Sequence, residues 1–213
     1  MKRYLISFLI LWIFISVGAQ TIHGYNYIID MKYYKSYYSK VIRGPSFVIY
    51  KLYKGGGNES RISYNFKKYK DLEYFNYTKS GYDRGHLVPA EDFAYDNIRL
   101  KSTFYYINCI PQTPNLNRGQ WKRYETEIRK LSQSDSLLVI CGGCDYPRSG
   151  SENNRCIPVN CFKIVYDLKT KKCIYSILFS NTGTTTTVKN EERLKKKMGF
   201  KKAMNLYNKK STY

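Results

Sequence analysis

Hydrophobic and polar positions change their pattern several times along the chain. Residues 46–53 (SFVIYKLY) are β-branched and aromatic and predict a strand, followed by a turn at Gly55-Gly56-Gly57-Asn58. Residues 61–70 predict a weak strand running into a loop. Residues 103–110 (TFYYINCI) predict a strong strand, broken by Pro111 and Pro114. Over residues 119–131, Trp121, Tyr124, Ile128 and Leu131 recur at i, i+3, i+7 and i+10, the apolar stripe of a helix. Residues 136–141 predict a strand ended by Gly142-Gly143. Residues 160–166 and 172–179 predict two more, joined by a short turn at Asp167-Leu168-Lys169. Residues 188–207 predict a basic helix interrupted at Gly199, and residues 24–40, dense in Tyr and Lys, predict irregular surface chain. No linker is long enough to separate domains, and the mixture is α+β.

The N-terminus departs from this pattern. A basic start at Lys2-Arg3 precedes an almost wholly apolar run over residues 5–17, and Val17-Gly18-Ala19 places small residues before Gln20. This is the layout of a secretory signal peptide over residues 1–19. The run is short of the roughly 20 residues that span a bilayer, so stable membrane insertion is not expected. Residues 20–213 then form one expected domain, secreted or periplasmic.

Charge narrows the function. The 213 residues carry 36 Lys plus Arg against 16 Asp plus Glu, a formal net charge of +20. Loss of residues 1–19 removes two basic residues and no acid, so the excess belongs to the exported body. Such a charge fits a polyanionic partner, nucleic acid or an anionic membrane surface. Six cysteines lie beyond the leader: Cys109, Cys141, Cys144, Cys156, Cys161 and Cys173. An even count in an exported chain favours disulfides, in a pairing that spacing does not choose. Two alternatives are a zinc site of Cys141, Cys144, Cys156 and Cys161, and a redox pair at Cys141 and Cys144.

The chain has two histidines, His23 and His86. His23 lies just past the leader, which leaves His86 as the imidazole of the folded body and excludes the HExxH and three-His zinc sites. His86 sits in Tyr82-Asp83-Arg84-Gly85-His86-Leu87-Val88-Pro89-Ala90. Neutral imidazole takes a proton from water near pH 7. A neighbouring guanidinium forks onto phosphate oxygens. Asp83 is placed to orient or pair with Arg84.

These residues carry a resemblance. Asp83-Arg84-Gly85-His86 is similar to the DRGH motif of the DNA/RNA non-specific endonucleases. A second block, running from Asn108 through Pro111-Gln112, Asn115, Asn117, Gly119 and Trp121 to Glu125, resembles the same family. Weaker similarity covers most of the chain, including Phe162-Lys163 and Met198-Gly199-Phe200. The resemblance implies a ββα-metal nuclease core, with a central antiparallel sheet flanked by helices. It implies Mg²⁺ as cofactor, with Mn²⁺ as the alternative, held by one protein ligand that maps onto Asn117. It gives Glu125 the orienting of metal-bound water, Arg84 transition-state charge, and His86 the general-base role. Arg43, Asn108 and Gln112 fall on positions that bind substrate or line the site. The implied partners are DNA and RNA, with a homodimer and an inhibitor protein of unknown identity as further candidates. The rival reading is a non-catalytic nucleic-acid-binding protein of the cell exterior.

Overall fold

The computed structural model describes residues 22–182 and 187–213; the expected leader lies outside them. In chain order the elements are β1 (Tyr27–Asp30), β2 (Tyr34–Ser39), β3 (Gly44–Leu52), β4 (Asp83–His86), α1 (Asn97–Ser102), β5 (Cys109–Gln112), α2 (Pro114–Leu116), α3 (Lys122–Leu131), β6 (Leu137–Cys144), α4 (Glu152–Arg155), β7 (Asn160–Asp167), β8 (Cys173–Ser180), β9 (Val188–Asn190), α5 (Glu192–Lys197) and α6 (Phe200–Asn208). Seven strands form one antiparallel sheet in the order β1-β2-β3-β6-β7-β8-β9. A separate antiparallel pair, β4 and β5, sets His86 opposite Cys109 and Arg84 opposite Pro111.

Strand alternation divides the core into two layers. On one face Leu137, Val139, Cys141, Cys161 and Val165 pack against Leu87, Val88, Ile110, Leu116, Trp121 and Ile128. This layer carries β4, β5 and α3. On the other face Leu138, Ile140, Phe162, Ile164 and Tyr166 pack against Leu194, Met198, Ala203 and Leu206 of the C-terminal helices. The predicted stripe of α3 is found: Trp121 and Ile128 are buried, and Tyr124 and Leu131 pack against the same layer. Each fully buried large side chain contributes about 1.5–3 kcal/mol from removed apolar surface.

Several sequence expectations are corrected. Residues 24–40 form β1 and β2 rather than irregular chain. Tyr34, Tyr37 and Tyr38 are buried there, and their hydroxyls donate to the carbonyls of Ser102, Leu206 and Glu73, so polar tips are satisfied inside a core. Residues 61–70 contribute only an isolated bridge between Lys67 and Tyr105. The strong strand expected over residues 103–110 is instead an irregular segment with a 3₁₀ turn at Tyr106–Asn108. The strand starts at Cys109 and includes Pro111, which an edge position tolerates. Gly142-Gly143 does not end β6. The strand runs through, and at Gly142 a Cβ would lie 2.2 Å from the Ser46 carbonyl, so glycine serves close strand approach. The basic tail is β9, α5 and α6, with the expected interruption at Gly199.

The expected disulfides are not formed: all six cysteines are free thiols, five of them buried. Cys141 and Cys144 fall in opposite core layers, and the Cys141 thiol donates to the Leu87 carbonyl at 2.9 Å. Among the described residues no group of three or more His, Cys, Asp and Glu is arranged to hold a metal ion, which speaks against the four-cysteine zinc site.

Candidate active site

A cleft of about 700 Å³ opens where the β4–β5 pair meets the start of α3. His86, Arg84, Asn117 and Glu125 line it together, with Arg61, Tyr64 and Phe66 from the long connection between β3 and β4. Four of the seven residues singled out from the sequence are therefore brought to one place.

Arg84 and His86 are two residues apart on β4, so they share a face of the strand. Gly85 between them has no room for a side chain, since a Cβ would lie 2.1 Å from Gln112 Oε1. The His86 ring sits 4.6 Å from Phe66 and 5.0 Å from Phe104, centroid to centroid. Its Nε2 is sealed from solvent without a hydrogen-bond partner among the described residues, which leaves Nδ1 as the ring nitrogen open to the cleft. Burial, and secondarily the Arg61 guanidinium, push the imidazole well below its ordinary pKa, so it is neutral at neutral pH. The His86 backbone carbonyl accepts from Trp121 Nε1 at 3.0 Å, which ties β4 to the base of α3. Arg84 lies with its guanidinium 5.2 Å from the Tyr77 ring centroid and has no carboxylate partner among the described residues.

Asn117 is set by local chain geometry. Thr113 caps α2, with Pro114 at the first helical position. A π-type turn over residues 117–121 then follows, in which Gly119 leaves helical geometry at φ −101° and ψ −109°. Such one-residue expansions redirect side chains, and they occur often at functional sites. Asn117 Nδ2 donates to Asp83 Oδ2 at 3.0 Å, and its carboxamide oxygen has no hydrogen bond among the described residues. Asp83 also takes a two-pronged hydrogen bond from Arg118, at 2.8 Å on each oxygen. Arg118 holds the Asp83 carboxyl below its ordinary pKa, helped by the Asn117 amide. Asp83 thus orients Asn117 and Arg118, not Arg84 as the sequence suggested.

Glu125 comes from α3, with its side chain 14% exposed. Burial pushes its carboxyl up to about 7, opposed chiefly by Lys163. Beneath it Asp92 accepts from Arg129 at 2.9 Å and from the Tyr50 hydroxyl at 3.1 Å. Lys163 was noted in the sequence only within the resemblance, and the Asp92–Arg129 pair was missed. No spacing rule marks a buried charge between Phe162 and Ile164.

The other three singled-out residues are not part of the cleft lining. Asn108 is fully buried and spends its side chain on the backbone, bonding the Val88 amide, the Val88 carbonyl and the Thr103 carbonyl. That network holds the loop leading away from His86. Gln112 is fully buried against Gly85. Arg43, at φ +47°, is bound to Glu73 at 3.0 Å and to Glu152, away from the cleft.

A strand pair, a kinked turn bearing an asparagine, and a helix packed behind them define a ββα-metal nuclease core. A family model described as DNA/RNA non-specific endonuclease matches residues 15–210, and the chain belongs to that family. It is similar to mitochondrial endonuclease G of Bos taurus, at 27% identity over 149 residues, which cover 60% of this chain and 50% of that protein. A nuclease of Nostoc sp. is 40% identical over 67 residues, 31% of this chain and 24% of that one. The chain thus spans half or less of these curated relatives. A chain from the crystal structure of the EndoG/EndoGI complex shares the fold, with a TM-score of 0.66, 21% identity, and coverage of 82% of this chain and 86% of that one.

Proposed function

We propose that this protein is an exported endonuclease that hydrolyses phosphodiester bonds of DNA and RNA with little sequence preference, using a divalent cation, Mg²⁺ foremost. One observation carries the reading: the open nitrogen of a neutral His86, the Arg84 guanidinium and the unbonded Asn117 oxygen line the same cleft.

The donor set suits a hard cation that keeps most of its water. Asn117 offers one carboxamide oxygen, oriented by Asp83, and Mg²⁺ characteristically takes one or two protein oxygens and several waters. When bound, the ion supplies positive charge to the scissile phosphate and the leaving oxygen. His86 accepts a proton at Nδ1 from a water aligned on phosphorus. Its depressed pKa keeps it unprotonated throughout the neutral range. Arg84 places its guanidinium on the phosphate oxygens that gain charge. Interactions of this kind are with the phosphate backbone, which carries little sequence information. Export rests on the apolar leader of residues 1–19.

A plasmid-nicking assay with Mg²⁺, with Mn²⁺ and with chelator tests the reading. Nicking that chelator abolishes is expected. Binding of DNA without any nicking in either metal would make the protein a nucleic-acid binder instead.

A further inference from the structure

Beneath the cleft lies a charged side chain that no role so far requires. Lys163 is fully buried on β7, facing the layer that carries α3, opposite Cys141. Its Nζ stands 3.6 Å from the Trp121 ring centroid and 3.9 Å from Glu125 Oε1, and it has no hydrogen-bond partner among the described residues. A buried ammonium without hydrogen bonds is costly, and an apolar side chain of the same length would be more stable there. Stability therefore does not account for it. Asp92 has Arg129 and Tyr50 already, whereas Glu125 has Lys163 as its ion-pair partner among the described residues.

We propose that Lys163 is a positioning residue for the cleft: its ammonium, seated on the Trp121 ring, is the fixed countercharge that keeps the Glu125 carboxylate charged and turned toward the substrate. The cation is seated over a ring face, which fixes its distance from Glu125. The electrostatics agree. Burial raises the Glu125 carboxyl, and Lys163 is the largest influence lowering it. The other groups acting on Glu125 are Asp92 and Glu91 from the turn after β4, Arg129 from α3 and Tyr50 from β3; Cys141 of β6 lies in the same network. Asp92 and Glu91 push the carboxyl up, which leaves Lys163 and Arg129 as the cations opposing them.

The inference rests on the nuclease reading for its kinetic test only. Lys163→Met in the full chain is expected to lower kcat for nicking about tenfold at pH 7, with KM for DNA within about twofold, and to recover toward pH 9. In a Glu125→Gln background the same substitution is expected to change kcat by less than about twofold. A fractional loss that is equal at every pH and in both backgrounds would mean that Lys163 merely packs, and so would an unchanged profile. A second readout needs no activity. The ¹³C titration of the Glu125 carboxyl in metal-free protein is expected to move up on Lys163→Met, and an unmoved titration overturns the proposal. If that titration moves while the wild type nicks nothing, the nuclease reading fails and the positioning role stands. Should Lys163→Met not fold, ¹⁵N-lysine NMR on the wild type decides, since an Nζ found neutral at pH 7 overturns the proposal and a charged one supports it.

Discussion

Strand β7 turns two neighbouring residues into opposite environments. Ile164 enters a layer without charged side chains, against Leu194, Met198 and Leu206. Lys163, one residue earlier, enters the layer beneath the cleft, among Trp121, Glu125 and Cys141. Both are fully buried. That layer is explained chiefly by removal of hydrocarbon from water, with its tyrosine hydroxyls satisfied by the carbonyls of Leu206 and Met198. The other layer accepts charges that cost stability, and those charges lead to side chains that line the cleft. One face of the sheet holds the fold, and the other face spends part of that stability on a site.

The sharpest way to break this division is to remove the imidazole. His86→Ala is expected to lower nicking by about 10²–10⁴-fold, the usual range for a general base, with little change in the thermal transition. A variant that keeps full activity ends the role assigned to His86 while leaving the nuclease reading in place. Ile164→Ala on the other face should do the reverse. It is expected to cost about 2–5 kcal/mol in denaturant unfolding, with kcat per folded molecule unchanged. A drop in kcat of the folded fraction would show that the two layers are not separable.

The site also leaves a mark on stability against pH. The folded-state pKa of His86 lies below its value in the unfolded chain, so the native protein resists protonation there. Its contribution is full above about pH 6.5 and is lost as pH falls toward the folded value. Glu125 runs the other way. Its folded pKa of about 7 lies above the unfolded one, so stability is lost as pH rises from about 4.3 to 7. His86→Phe keeps an aromatic ring against Phe66 and Phe104 and removes the first of these effects. Relative to the wild type, the variant is expected to gain about 2 kcal/mol between pH 7.5 and pH 5 in urea unfolding. An equal difference at both pH values would mean that the imidazole titrates normally in the folded protein.

The same division explains what the sequence made legible. The continuous β-branched and aromatic runs predicted β3, β6, β7 and β8, because central strands buried on both faces are apolar almost throughout, and the one-sided stripe of residues 119–131 predicted α3. The DRGH block and Asn117 were legible through resemblance, since their chemistry needs particular residue types. Residues 103–110 misled because their aromatic and β-branched content looks like a strand. In the fold Asn108 bonds the Val88 and Thr103 backbone, and a 3₁₀ turn replaces the ladder. Asn117 and Glu125 were assigned to one site by the resemblance, and the path between them was not legible: Gly119 breaks the regular helical rotation, and a π-type turn carries the chain from Asn117 into α3. The burial and the role of Lys163 were not legible, because both depend on Trp121 and Glu125, about forty residues away in the chain.

The smallest effect concerns the basic tail, where the two faces differ most finely. Lys195, Lys196 and Lys197 end α5, which packs on the layer away from the cleft, and Lys195 is already paired with Glu192 at 3.3 Å. Lys122 lies on the cleft itself. Removing one lysine that neutralises a phosphate should reduce the slope of log affinity against log salt by about 0.9. Lys122→Gln is expected to show about that change. Replacing all three tail lysines with Gln is expected to change the slope by less than about 0.9 in total and to leave kcat untouched. A reduction near three times that value would mean that nucleic acid reaches around the sheet to the apolar face. The net charge of +20 would then form one continuous track, and the two faces would divide the core of the protein but not its surface.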